Sequence, residues 1–122
     1  DLDRMTSGWQ DGDLVVLAAR PSVGKTALAL HLARSAAMAG RAVVVYSLEM
    51  QGERLADRWL MAASEVNQRH WRTGVPSEQE MSEARAAAAE LSRLRIHVDD
   101  STVVSMDHVR SSARLLKSRG GV

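Results

Sequence analysis

Only two of the sixteen basic residues in this chain are lysines, and one of them, Lys25, lies in a loop suited to holding phosphate. The run Ala19-Arg20-Pro21-Ser22-Val23-Gly24-Lys25-Thr26 matches the Walker A pattern at every defining position but the first, where Ala19 replaces glycine. Such a loop leaves a strand and opens a helix, so its backbone N–H groups and the helix N-terminus converge on a bound polyphosphate. Gly24 lets the backbone approach without a Cβ in the way, Lys25 would bridge β- and γ-phosphate oxygens, and Thr26 would set its hydroxyl on Mg²⁺. The alternative is an ordinary glycine turn with Lys25 in solvent. That places a cation in the first turn of a helix, against the dipole, where only an anion makes the placement favourable.

Glu49 is the second group of interest. It follows Val43-Val44-Val45-Tyr46, a run expected to be a buried strand, at the end where parallel sheets gather their catalytic groups. A carboxylate there can orient and deprotonate the water that attacks a γ-phosphate. It can equally be a helix N-terminal acid favoured by the dipole of the next helix, and spacing leaves both roles open.

The elements that must position these groups alternate. Residues up to Asp13 read as a polar lead-in loop with turn signals at Ser7-Gly8 and Asp11-Gly12. Leu14 to Ala18 is a continuous apolar run expected to form a strand buried on both faces. After the loop, Lys25 to Ala39 is expected to be a mostly buried helix, with His31, Arg34 and Ser35 on one narrow face and Gly40 ending it. A strand over 42–47, a helix over 51–63 and a partly helical stretch over 64–74 follow. Ser77 and Glu80 form a capping box for a helix running to about Leu94, with Met81, Ala84, Ala88 and Leu91 as its core stripe. A third strand over 95–98 ends at Asp99-Asp100. Ser105 caps a last helix with a stripe of Met106, Val109, Ala113 and Leu116, with Arg110, Arg114 and Lys117 on another face, and Gly120-Gly121 stops it. The alternation implies a parallel α/β sheet with right-handed crossovers.

With 122 residues, 45% of them hydrophobic and 25% charged, the chain fits one small domain or part of a larger one. The absence of Phe and the abundance of Ala, Val, Leu and Met predict an aliphatic, evenly textured core. A formal charge of +1 argues against holding nucleic acid by bulk electrostatics, so any DNA contact must be local. Without Cys there is no disulfide framework, thiol nucleophile or cysteine zinc site. No apolar run approaches the length of a spanning helix and the start is not a signal peptide, so a cytoplasmic location without membrane contact is expected.

Other groups have structural readings that outweigh functional ones. His31, His70, His97 and His108 lack metal-ligand spacing and read as surface or helix-packing residues. Arg69-His70-Trp71-Arg72 can stack on single-stranded DNA, but a loop anchored by Trp71 is the plainer expectation. Asp99-Asp100 suits turn and capping roles better than a contact to Mg²⁺ or nucleotide. The Arg110, Arg114, Lys117 row reads as a solvated face.

The run Leu2-Asp3-Arg4-Met5-Thr6-Ser7-Gly8-Trp9-Gln10, then Gly12-Asp13-Leu14 and the loop from Ala19 to Thr26, closely resembles the opening of the DnaB-type helicase motor domain. That family also commonly has Ala at the first loop position. Tyr46-Ser47-Leu48-Glu49-Met50 is similar to its second motif, whose Glu is the catalytic base, and Arg58 falls where the family often has Arg. Ile96-His97-Val98-Asp99-Asp100-Ser101 and the capped helix after it look like its continuation, so the resemblance covers the whole chain. It implies a RecA-like P-loop NTPase domain over residues 1–122, with Arg20 to Thr26 binding ATP and Mg²⁺, and Lys25 and Glu49 catalytic. It also implies a homo-hexamer on single-stranded DNA, with primase and a helicase loader as partners. A RecA-like recombination ATPase, or a nucleotide-binding module without turnover, are the competing readings. The Walker B strand and later strands of the family are not in this sequence. Residues 1–122 alone are therefore expected to fold poorly and to hydrolyse ATP little or not at all.

Overall fold

The computed structural model describes residues 2–64 and 66–120. Its elements run α1 (Leu2–Thr6), α2 (Lys25–Met38), β1 (Val43–Tyr46), α3 (Gly52–Ala63), α4 (Gln68–Thr73), α5 (Glu78–Leu91), β2 (Ile96–Asp99) and α6 (Met106–Ser118). β1 and β2 pair in parallel with Val43 opposite Ile96 and Tyr46 opposite Asp99. The ladder is continued by Val43 N–H to the Arg95 carbonyl and Ser47 N–H to the Asp99 carbonyl, each at 2.8 Å. Parallel partners cannot be joined by a tight turn. Here α3, α4 and α5 make the crossover.

The core gathers where α2 and α3 meet over this sheet. Leu30, Leu55 and Trp59 are buried together, with Ala33, Val45, Met50, Leu91 and Ile96 packed around them. The aliphatic core expected from composition is thus centred on an indole. Trp59 is large enough to span from α3 to α2, and its Nε1–H finds a partner in the Leu30 carbonyl at 2.8 Å. α5 approaches α3 on Ala84 and Ala87, both buried. Ala88, expected in that stripe, is exposed, and the helix stops at Leu91 rather than near Leu94.

Three expectations about burial and order are corrected. The lead-in segment begins with the short α1 instead of being loop throughout. Leu14 to Ala18 is not a strand: Leu14 is 90% and Val16 81% exposed, and among the described residues no strand runs beside them. Strand conformation is stabilised by its neighbours' hydrogen bonds, and an apolar run without a ladder partner has nothing to pair with. For the same reason α2 buries only Leu30 and Ala37; one face rests on α3 and the sheet, and the other faces solvent.

Helix ends follow the sequence closely. Ser77 Oγ accepts from Glu80 N–H, and Glu80 returns a carboxylate oxygen to Ser77 N–H at 2.8 Å. Glu80 also accepts from His70 Nδ1 and Asn67 N–H, which ties α4 to α5. The Ser77 N–H above all, opposed by partial burial and helped by His70 and Asn67, lowers the Glu80 carboxyl from 4.5 to about 2. The Ser101 hydroxyl, His108 and the Ser101 N–H likewise lower Asp99 from 3.8 to about 2. Depressed carboxylates stabilise the fold above their unfolded pKa and lose that contribution as pH falls towards the folded value. Melting temperature should accordingly drop between about pH 4.5 and pH 2. Ser77→Ala should cost about 1 kcal/mol at neutral pH and leave the acid limb in place, because the Ser77 N–H that holds the Glu80 carboxylate remains, measured by thermal melts across pH.

α6 is capped by Ser105 Oγ on His108 N–H. It docks largely through polar groups: Tyr46 Oη lies 2.7 Å from Ser112 Oγ and donates to the Val109 carbonyl, and His108 Nε2 meets Asp99 Oδ2 at 2.6 Å. Val109, Ala113 and Leu116 are half-buried as expected, but Met106, in the first turn, is 76% exposed. Arg110, Arg114 and Lys117 form the exposed face. Gly120 takes φ +71 just past the helix end, while Gly121, read with it as the stop, lies outside the described residues. No described helix is long and apolar enough to cross a membrane.

Candidate nucleotide-binding site

The segment from Ala19 to Gly24 bends sharply before α2. Ser22 at φ +64 and Gly24 at φ +98 are both left-handed, and Val23 N–H closes a long contact to the Arg20 carbonyl at 3.4 Å. Nothing lies within 4 Å of where a Cβ on Gly24 would sit, so it is the backbone angle that calls for glycine there. The N–H groups of Gly24, Lys25, Thr26 and Ala27 take no partner among the described residues. They form the open donor end of α2.

Beside this donor cluster is a pocket of about 540 Å³, lined by Ala19 to Ser22 and Gly24 to Ala27 of the loop and by Glu49 and Arg58. Arg20, Pro21, Ser22, Gly24, Lys25 and Thr26 of the loop thus line one pocket with Glu49, which is distant in sequence. Val23, also expected at the site, does not line it and is exposed. Neither Lys25 nor Arg58 has an ion-pair partner among the described residues. Unpartnered amides with unpaired Lys and Arg beside them suit a polyphosphate, and the half-buried Thr26 supplies a hydroxyl at its edge.

Glu49 reaches this pocket from a short turn. Ser47 Oγ donates to the Met50 carbonyl at 2.6 Å and accepts from Met50 N–H at 3.3 Å, clasping the residues between. Gly52 N–H, the first of α3, donates to Asp100 Oδ2 at 2.8 Å. Asp100 therefore caps a helix, as expected of it, but one that starts 48 residues earlier. Gln51 at the N-cap makes no side-chain capping bond, so the first N–H of α3 takes its acceptor from outside the helix.

A larger cleft, about 670 Å³, opens between α2, α3 and α4 and shares Ala27 and Arg58 with the first. Trp71 belongs to α4 rather than to a loop, and faces this cleft with Arg34, Arg54 and Arg72. It lacks the phosphate loop and Glu49, so it is not the candidate site despite its size. His70 and His108 pair with Glu80 and Asp99 in helix-packing roles.

A parallel α/β unit in which a Walker A loop opens a helix beside a strand-end glutamate defines a P-loop nucleotide-binding core of the RecA-like kind. The chain belongs to the DnaB-like helicase C terminal domain family, whose profile matches residues 1–122. It is 40% identical over 123 residues to the replicative DNA helicase DnaC of Bacillus subtilis and 39% identical to the replicative DNA helicase DnaB of Geobacillus stearothermophilus. Each alignment covers all of this chain and 27% of the relative, so the chain spans about a quarter of those proteins' length. The ATPase domain of G40P superposes with a TM-score of 0.89 at 32% identity, over 97% of this chain and 42% of that one. A DnaB-like replicative helicase, solved in a study of its interactions with primase, superposes with a TM-score of 0.90 at 30% identity, over 97% and 29%.

Proposed function

We propose that residues 1–122 are part of a RecA-like ATPase domain in a replicative DNA helicase motor, one that couples ATP hydrolysis to movement on single-stranded DNA and unwinding of the duplex. The observation that carries the reading is the common pocket of Lys25, Thr26, Glu49 and Arg58 at the open end of α2. ATP, with Mg²⁺, supplies the phosphoanhydride whose cleavage drives the motor. The chain's own groups then have separate tasks. The N–H groups from Gly24 to Ala27 hold phosphate oxygens, Lys25 neutralises charge on the β- and γ-phosphates, and Thr26 offers a ligand to the cation. Glu49 accepts a proton from the attacking water. We further propose a cytoplasmic homo-hexamer with primase and a helicase loader as partners, and little or no turnover by residues 1–122 alone.

The test is ATP turnover by the complete protein with and without single-stranded DNA, together with strand separation of a forked duplex. DNA-stimulated turnover with unwinding is expected. Tight ATP binding without turnover would instead make the chain a nucleotide-binding module, and DNA-stimulated turnover without unwinding would favour a recombination ATPase.

A further inference from the structure

The turn bearing Glu49 is held at both ends by consecutive residues of β2's carboxyl end. At its start, Ser47 N–H bonds the Asp99 carbonyl at 2.8 Å, as a last rung of the sheet. At its far end, Gly52 N–H bonds Asp100 Oδ2 at 2.8 Å. Between these points the Ser47 hydroxyl clasps the backbone, and Leu48, Glu49 and Gln51 are exposed. Met50 packs on the Leu30, Leu55 and Trp59 cluster, and hydrogen bonds fix the rest of the segment.

From this arrangement we propose that Asp100 is a positioning residue for Glu49: its carboxylate anchors the start of α3 and thereby sets where the Glu49 carboxylate stands over the phosphate loop. The proposal rests on the reading of Glu49 as the base. Asp100 has little other structural work: it is exposed, and among the described residues its side chain is bonded by the Gly52 N–H. Its neighbour Asp99 cannot take over, because its carboxylate is occupied by Ser101 N–H and His108. A Cβ on residue 52 would lie 3.4 Å from Asp100 Oδ2 and 3.5 Å from Val98 Cγ1, ordinary contact distances, so the start of α3 lies directly against the end of β2. Catalytic groups tolerate little displacement, since about 1 Å of misplacement can cost on the order of 100-fold in rate.

The experiment compares Asp100→Ala, Asp100→Asn and Asp100→Glu in the complete protein, alone and with Glu49→Gln. Asp100→Ala should lower kcat by about 10- to 100-fold while affinity for a non-hydrolysable ATP analogue stays within about twofold. Asp100→Asn keeps an acceptor oxygen at the same reach and should restore most of kcat. Asp100→Glu keeps the charge but lengthens the arm, and should lose rate even if the alanine variant folds badly. In the Glu49→Gln background Asp100→Ala should have no further effect, because the two act as one unit. Unchanged kcat in the alanine and glutamate variants, parallel loss of kcat and affinity, or an undiminished effect in the Glu49→Gln background would each overturn the role. If Glu49→Gln by itself leaves turnover intact, the reading of Glu49 fails first and this proposal with it. If Glu49→Gln abolishes turnover while Asp100→Ala does not alter it, only the role of Asp100 falls.

Discussion

Lys25→Ala is expected to abolish useful nucleotide turnover, lowering kcat/KM for ATP by about 100- to 1,000-fold, the usual cost of removing one preorganised group that stabilises developing charge. The sign of its effect on folding separates this from simple damage. Lys25 is the first residue of α2, where a cation opposes the helix dipole, and it has no ion-pair partner among the described residues. Removing it should leave the melting temperature unchanged or slightly raised while ATP binding collapses. Lys25→Arg should not rescue, because a planar guanidinium cannot sit where a compact ammonium fits between the loop and two phosphates. Titrating a fluorescent ATP analogue beside a thermal melt checks both halves. Near-normal affinity in Lys25→Ala would return the loop to an ordinary glycine turn.

What could be read from the sequence divides along the range of the interactions. The turn that opens α2 at Gly24, the Ser77–Glu80 box and the Ser105 cap are each specified within a few residues, and each stands where the sequence puts it. β1 and β2 were legible because their apolar runs are short and bounded. The strand expected at Leu14 to Ala18 shows the limit: its apolar run is as clear, but a strand exists only with a partner, and pairing is not a local property. The α5 stripe missed at Ala88 alone, for another reason. Ala86 to Ala89 are four identical residues, so no periodic contrast marks which of them faces α3. At the site, the loop and Glu49 were visible as motifs. The bond from Asp100 to Gly52 was not, because it joins residues whose separation no spacing rule covers.

Glu49→Gln gives the second large effect and distinguishes a motor from a passive nucleotide-binding module. The substitution keeps the shape of the side chain and its place above the loop but removes the ability to take a proton at working pH. General-base catalysis contributes about 100- to 10,000-fold, so kcat should fall within that range. Affinity should move the other way or not at all. Glu49 shares its pocket with the phosphate loop, and its negative charge opposes a bound polyphosphate, so the neutral amide should bind an ATP analogue equally or more tightly. This opposition of rate and affinity is what a proton acceptor predicts and what a dipole-stabilising acid at the start of α3 does not. The latter would lose a little helix stability and leave both kinetic quantities unchanged. Single-turnover hydrolysis measured beside equilibrium binding on the complete protein decides between them: a kcat within twofold of wild type would remove Glu49 from the chemistry and leave the phosphate loop as a binding device alone.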